Sequence, residues 1–528
     1  MRSRSSVRHT YVSLAIGLGA AIHASPASSH DGVHLELLDR YQPADVAFDE
    51  GVSEIVAYDE ANEELYVVNA KGARLDILSI SDPTNVVSVG ELDVSGFGAA
   101  ANSVAVRDGI VAIAVEADVK QDPGSIVFFD TAGNFLNQVS VGALPDMVTF
   151  SPDGRWVVAA CEGEPSDDYS VDPEGSIAVI DLALGADQAT VRIADFHAWN
   201  DRPLPPTVRA YGPGANAARD FEPEYVAVSA DSRLAWVTLQ ENNAIATVNL
   251  RQGKVVDVTG LGWKDHSRAR NALDASDRDG AIRFATWPVH GMYLPDSIAT
   301  FSVLGVPLLV MANEGDSRAY DGYDEESRVG DEVLDPTAFP DAATLQDDAN
   351  LGRLKITTSQ GDIDGDGDFD RLYSLGARSI SIRTTWGALV WDSGSAIERL
   401  VARVAPEHFN ASNDNNTFDN RSDDKGPEPE GIAVGRVGWR QYVFVGLERM
   451  GGIVTFDVTN PLAPRIVDYV NPRDFTKDPE ADITEVGDVG PEGLLFIPAS
   501  SSPTGEPLLV VGNEISGTTS VFAVVSGP

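Results

Sequence analysis

Seven times along this 528-residue chain a short hydrophobic strand opens on a small or acidic residue, and a second strand follows that tends to end in a carboxylate. The openings are Ser53-Glu54-Ile55, Asn102-Ser103-Val104, Pro145-Asp146-Met147, Pro223-Glu224-Tyr225, Pro295-Asp296-Ser297, Pro429-Glu430-Gly431 and Pro491-Glu492-Gly493. The second strands are expected to finish at Asn69, Glu116, Glu162, Glu241, Glu314, Glu448 and Glu514. A supersecondary unit repeated at this spacing cannot bury its apolar face alone and must stack on its neighbours, which is the mark of a propeller. Third strands follow at 75–80, 125–130, 176–181, 244–250 and 452–458, and fourth strands at 86–94 and 253–261. Alternation of apolar and polar residues between Asp-Gly and Asp-Pro turns fits strands rather than helices. The seventh unit stops after a third strand at 519–525, and Val33 to Tyr41 reads as a strand without a partner. Pairing the two would remove a sheet edge. The expected fold is all-β: a seven-bladed β-propeller whose N-terminal strand closes the last blade.

Length alone would allow several domains, but no Pro/Ser/Gly linker separates the repeats, so residues 30–528 are read as one propeller domain. The fifth unit is interrupted between its second and third strands by an Asp-, Glu- and Gly-rich insertion over 315–376. Shorter insertions follow Glu162, Gly262 and His408. Long loops on a rigid ring are where a site is built, or they are inert decoration. Residues 1–29 read as a signal peptide: Arg2, Arg4 and Arg8 precede an apolar run at 11–24 that is too short to span a bilayer, and small residues follow. No later run is long enough for a membrane helix, so the mature chain is expected in the periplasm or the medium. The single cysteine, Cys161, leaves no intrachain disulfide to form there and suits a buried small residue.

The charge narrows the partners. With 81 Asp and Glu against 38 Lys and Arg the formal charge is −43, which repels nucleic acid and anionic lipid and attracts divalent cations. The same charge also serves solubility in a salty medium.

The sharpest local motif is Asp362-Ile363-Asp364-Gly365-Asp366-Gly367-Asp368-Phe369-Asp370. Oxygen ligands at alternate positions, with glycine at the sixth place for a tight turn, are what calcium requires of one short loop. Tyr373 stands where an EF-hand needs its bidentate Glu, so the expectation is a calcium-stabilised loop completed from elsewhere, not a helix-loop-helix sensor. The alternative is an Asp-Gly turn without metal.

A second acidic group follows from the fold. First strands of blades line the central channel, so Glu54, Asp146, Glu224, Asp296, Glu430 and Glu492 should crowd one mouth, with Glu164, Glu241, Glu314, Glu448 and Glu514 nearby. Two readings stand. Arg219, Arg318, Arg378, Arg421, Lys425 and Arg449 from adjoining loops form salt bridges with these acids; or Glu224, Asp296, Glu430 and Glu492 hold one or more divalent cations that present a face to phosphate or carboxylate.

Several stretches resemble the choice-of-anchor I family, secreted or surface-anchored proteins akin to a mesenchyme-specific cell surface glycoprotein. They include GALPDMVTFSPDG at 142–154, LDASDRDG at 273–280, ANEGDSRAYDGYDEESRVGD at 312–331, RSDDKGPEPEG at 421–431 and VGNEISGTTSVF at 511–522. The resemblance covers roughly 33–528 and implies an extracellular setting more firmly than a reaction; some members carry an alkaline phosphatase label. This chain departs from anchored members in having no C-terminal sorting segment.

Enzyme signatures are sparse. Outside the leader and the stretch just after it, His197, His266, His290 and His408 are the histidines, few for a two-metal phosphoesterase. No Gly-x-Ser-x-Gly elbow, P-loop or Rossmann fingerprint occurs. Three classes remain. The first is a calcium-binding extracellular or surface protein without catalysis, its partners divalent cations and extracellular matrix or mineral. The second is a calcium-dependent phosphoesterase acting on phosphate-containing small molecules, in which Glu224, Asp296 and Glu430 hold the metal, metal-bound water attacks, and Arg318 or Lys425 steadies the developing charge. The third is a protein-binding platform built on Trp263, Trp287, Tyr293, Tyr320 and Tyr323.

Overall fold

The computed structural model describes residues 22–23, 32–48 and 51–527. The signal peptide expected over 1–29 lies outside the described residues, apart from a two-residue strand at Ile22–His23. The fold is built from antiparallel sheets of four consecutive strands. The first runs Val52–Asp59, Glu64–Asn69, Arg74–Ser79 and Val87–Asp93, each paired with the next. The same meander recurs from Ala101–Arg107 to Phe135–Ala143, from Pro145–Phe150 to Thr190–Ala194, from Pro223–Val228 to Lys254–Gly260, and from Pro429–Val437 to Arg465–Asn471. Between the last two lies the interrupted unit, in which Ile298–Val303 and Val306–Asn313 are completed by Ser379–Thr384 and Leu389–Asp392.

The final sheet, Pro491–Ile497, Leu508–Asn513 and Thr518–Ser526, takes its fourth strand from Val33–Tyr41, with Val33 opposite Ser526 and Tyr41 opposite Thr519. The opening strand of each sheet lies beside that of the next, and Pro491–Ile497 returns to Val52–Asp59, so the circuit closes as a β-propeller. Burial follows from that closure. Second strands such as Trp156–Cys161 are buried at every position because both faces are covered by neighbouring sheets. Fourth strands such as Val87–Asp93 lie at the rim and are mostly exposed. Adjacent sheets meet through apolar faces, as where Leu75, Val104, Ile113 and Phe129 share one cluster.

The insertions do not behave as separate loops. Glu326–Arg328, Lys355–Thr357 and Leu372–Ser374, from the long insertion, join Trp263–Asp265 and Val289–Met292, from the shorter one after Gly262, in a single five-stranded sheet. Val289–Met292 pairs with Leu372–Ser374 in parallel. The accessory sheet has its own apolar core around Leu273, Trp287, Val329, Leu351 and Ile356. Neither insertion alone could bury that surface, so the two fold together.

Candidate functional site: an acidic channel mouth and an aspartate loop

The repeat aims its acids by a backbone device. In six sheets the ladder between first and second strands skips just after it begins, and in five of them the skip holds an acid: Val52 pairs with Asn69 and then Val56 with Val67, Pro145 with Cys161 and then Val148 with Ala159. The skips Pro223/Val226, Pro429/Ile432 and Pro491/Leu494 repeat it. The skipped residues include Glu54, Asp146, Glu224, Glu430 and Glu492. A bulge leaves its extra residue unpaired and re-aims the side chain, and proline is tolerated where the ladder starts. Side chains tie the openings to neighbouring sheets: the Ser103 hydroxyl accepts from the Val148 N–H at 3.2 Å, and the Thr238 hydroxyl, from a second strand, donates to the Asp296 carbonyl at 2.8 Å.

These acids converge. A cavity of about 300 Å³ is lined by Glu54, Glu116, Asp146, Glu162, Asp296 and Glu492. Burial, followed by neighbouring carboxylates, holds Glu54, Glu162, Glu224, Asp296, Glu430 and Glu492 well above the usual carboxylate range. Asp146 and Glu241 are pushed up to about 7, burial again being the first cause. The buried Oε2 atoms of Glu430 and Glu492 have no hydrogen-bond partner. The carboxylates that follow the second strands lie just past the strand ends, Glu162 after Cys161 and Glu448 after Leu447, where the chain turns over the top of the sheet.

The two sides of the mouth differ. On one side Glu314, Glu428 and Glu448 are met by the protein's own cations: Lys425 lies 2.6 Å from Glu314, Arg421 2.5 Å and Arg449 3.0 Å from Glu428, and Arg449 3.1 Å from Glu448. Burial works against the ionised form of Glu428, yet Lys425, Arg421 and Arg449 bring it down to about 2. On the other side, oxygens of Asp146, Glu162 and Glu224 lie within 4.8 Å of one another. The cation beside them, Lys120, is paired with Glu164.

Several sequence candidates have structural occupations. Arg318 is buried and bonds Asp220 at 2.6 Å and Glu222 at 2.9 Å, and Lys425 is held by Glu314 and Asp316, so the donors foreseen for a developing charge face protein carboxylates. Arg378 pairs with Glu398 at 2.9 Å and donates to the Asp274, Ser422 and Asp424 carbonyls. His266 is buried, its Nδ1 2.6 Å from the Asn271 carbonyl, and burial brings it down to about 3; neither it nor His290, which lies against Tyr373, lines the cavity. The aromatic set is packing: Trp287 and Tyr293 are buried, Trp263 rests on Tyr373, and Tyr320 and Tyr323 meet Tyr169 edge-on. Tyr320 also reaches the mouth, donating to Glu164 at 2.9 Å. Cys161 is buried, and burial pushes its thiol up to about 12, so it is no nucleophile.

The aspartate loop is a separate centre on the accessory sheet. Asp362 accepts from the N–H groups of Gly365 at 2.7 Å and Gly367 at 3.0 Å, and Asp370 accepts from Ile363 at 2.7 Å. Gly365 and Gly367 take positive φ, 79° and 98°, which side chains rarely adopt. Oxygens of Asp362, Asp364 and Asp370 lie within 4.8 Å of one another, and a second group joins Asp370 and Asp368 to Asp335. A bridge from Leu334 to Phe369 brings Asp335 there, a contact that sequence spacing does not announce.

The model of the Choice-of-anchor I domain matches residues 54–461. The chain belongs to the choice-of-anchor I family. Among curated relatives, this family member is 36% identical over 191 residues to Gigasin-3a of Magallana gigas, covering 34% of this chain and 67% of that protein. It is 29% identical over 276 residues to the mesenchyme-specific cell surface glycoprotein of Strongylocentrotus purpuratus, covering 46% of this chain and 35% of the other. Solved structures with similar traces include streptogramin B lyase, with 11% identity, a TM-score of 0.44 and coverage of 94% of this chain and 98% of that one. Hydrazine synthase of Kuenenia stuttgartiensis follows the trace with 13% identity, a TM-score of 0.46 and coverage of 92% and 99%.

Proposed function

We propose that this protein is a secreted calcium-binding β-propeller of seven blades that acts outside the cell or at its surface without catalysing a reaction. Four-strand meanders in a closed circuit support the blade count, and the name of the sea urchin relative, a cell surface glycoprotein, supports the setting. Among the described residues no helix is long and apolar enough to cross a membrane. The observation that carries calcium is the aspartate loop: oxygens of Asp362, Asp364 and Asp370 within 4.8 Å, with glycine in the left-handed turn at Gly367. Oxygen-only ligands at this spacing suit a hard cation bound at 2.3–2.6 Å. Calcium would draw the loop and Asp335 together and so brace the accessory sheet. Extracellular calcium, and through it matrix, mineral or phosphate-bearing surfaces, are the partners this chemistry fits; nucleic acid is not among them.

A ligand present at a hundred times its Kd stabilises the folded state by about 2.7 kcal/mol. Melting of the mature protein should therefore rise with calcium and fall with chelator, and Asp364→Asn with Asp366→Asn should shrink the difference by the loop's share. Identical melting curves with calcium and with chelator would defeat the proposal.

A second reading is favoured by the buried Oε2 atoms of Glu430 and Glu492, which have no hydrogen-bond partner and which a cation would satisfy. In it Glu224, Asp296 and Glu430 hold calcium, and metal-bound water attacks a phosphate ester. Assay against a phosphomonoester and a phosphodiester decides between the two. Calcium-dependent turnover lost in Glu430→Gln would establish the phosphoesterase; no turnover with any metal leaves the binding protein.

A further inference from the structure

We infer that the wall of the channel contributed by the third and fourth sheets is a binding site for one divalent cation, held by Asp146, Glu162 and Glu224 with Glu241 as a further ligand. The site is distinct from the aspartate loop and does not depend on it.

Geometry comes first. Oxygens of Asp146, Glu162 and Glu224 lie within 4.8 Å of one another. A cation bound at 2.3–2.6 Å holds its ligands no farther apart than about 5 Å, so three carboxylates at this span are already at ligand distance. They arrive there by a repeated construction. Asp146 and Glu224 occupy equivalent bulges of adjacent sheets, and Glu162 and Glu241 follow the second strands of the same two sheets. The backbone holds both turns: the Glu162 N–H bonds the Leu144 carbonyl at 2.9 Å, and Arg209 donates to the Glu241 carbonyl at 2.9 Å. The main chain therefore holds Glu162 and Glu241 at this wall.

The second observation is independent of the cluster. Glu241 is 7% exposed, and its Oε2 is buried without a hydrogen-bond partner. Glu241 stands to Glu224 as Glu162 stands to Asp146, just past the strand that pairs with the acid-bearing bulge, and its charge acts on both Glu162 and Glu224, which sets the orphan oxygen on this wall. Burying a carboxylate oxygen with no partner is costly unless a cation or a proton meets it.

The third is the contrast across the channel. Where Glu314, Glu428 and Glu448 gather, the chain supplies Lys425, Arg421 and Arg449. Where Asp146, Glu162 and Glu224 gather, Arg318, whose charge also acts on Glu241, is bonded to Asp220 and Glu222, and Lys120 to Glu164. The ligands are all oxygen, which selects calcium, manganese or magnesium over zinc. The competing account is that shared protons, not a metal, neutralise the wall.

The test uses the whole mature protein stripped with chelator, with manganese as the probe. Anomalous scattering from manganese-soaked crystals should place a peak between Asp146, Glu162 and Glu224. Calorimetric titration should show one binding equivalent that survives Asp364→Asn with Asp366→Asn and disappears in Glu162→Gln with Glu224→Gln. Asp146→Asn should weaken the same equivalent, as a milder change should those glutamines compromise folding. No anomalous peak on this wall at saturating manganese would overturn the inference in favour of shared protons, as would an unchanged binding stoichiometry in the glutamine variant. Failure of the aspartate loop alone would leave this site standing, because the loop variant reports on the loop only.

Discussion

At the scale of single residues, Asp419 shows how far burial governs the acids of this protein. It is 1% exposed; one carboxylate oxygen accepts from the Ser422 hydroxyl and the other has no partner. Burial, opposed by the Ser422 bond and reinforced by Asp274, Asp279 and Asp277, pushes it up to about 8. The folded state therefore keeps a proton that the unfolded chain releases near the ordinary aspartate value of about 4. Asp419 contributes its full stability below that value and loses it as pH rises through about 8. With chelator present, the urea midpoint should fall between pH 5 and pH 8.5, and Asp419→Asn should flatten part of that fall. Asparagine tolerates the positive φ of 67° at this position, so the variant changes the charge and leaves the turn. An unchanged slope would show that Asp419 titrates normally. None of this is legible in the sequence, where Asp419 is one acid in a loop rich in Asn and Asp.

At the scale of elements, the closing strand is both the most legible feature and the most exposed to test. Val33–Tyr41 stands alone in the sequence as an apolar run without a following partner, and its pairing with Thr518–Ser526 has the bounds that run suggests. Leu35 is fully buried, in a cluster with Phe444, Leu509 and Phe522. Leu35→Ala should cost about 2–5 kcal/mol in urea unfolding at unchanged slope. A chain begun after Tyr41 bares the edge of Thr518–Ser526 and should run as oligomers in size-exclusion chromatography; a monomer of unaltered stability would mean that the strand is an accessory. The bulges were less legible. Pro-Asp and Pro-Glu mark where first strands begin, but a bulge is a relation between two strands, and one strand's residues do not reveal it. The accessory sheet was hidden for a similar reason: Val289–Met292 and Leu372–Ser374 are far apart in the chain, and each is too short to show a period.

At the scale of the whole molecule, a formal charge of −43 works against compactness. Screening shortens the reach of charge from about 30 Å at 0.01 M salt to about 3 Å at 1 M. In chelator, the melting temperature should therefore climb as sodium chloride is raised over this range, and calcium should shrink the climb by neutralising the densest acids first. Scanning fluorimetry over a salt series checks it; a flat response would assign the acids to pairs already satisfied within the fold.

The sequence by itself determined the repeat, the propeller, the position of the closing strand, the family and the existence of an aspartate loop. Each depends on residues close together or on a pattern that recurs, which is the kind of information a linear chain carries openly. Only the tertiary structure decided which acids are answered by Lys425, Arg421 and Arg449 and which gather at Asp146, Glu162 and Glu224 without such partners. It also decided that Asp335 stands beside Asp368 and Asp370. Such groupings follow from closure of the ring and from docking of the insertions. Those steps bring together charges far apart in the chain and remove them from water, and that burial gives these carboxylates their chemistry.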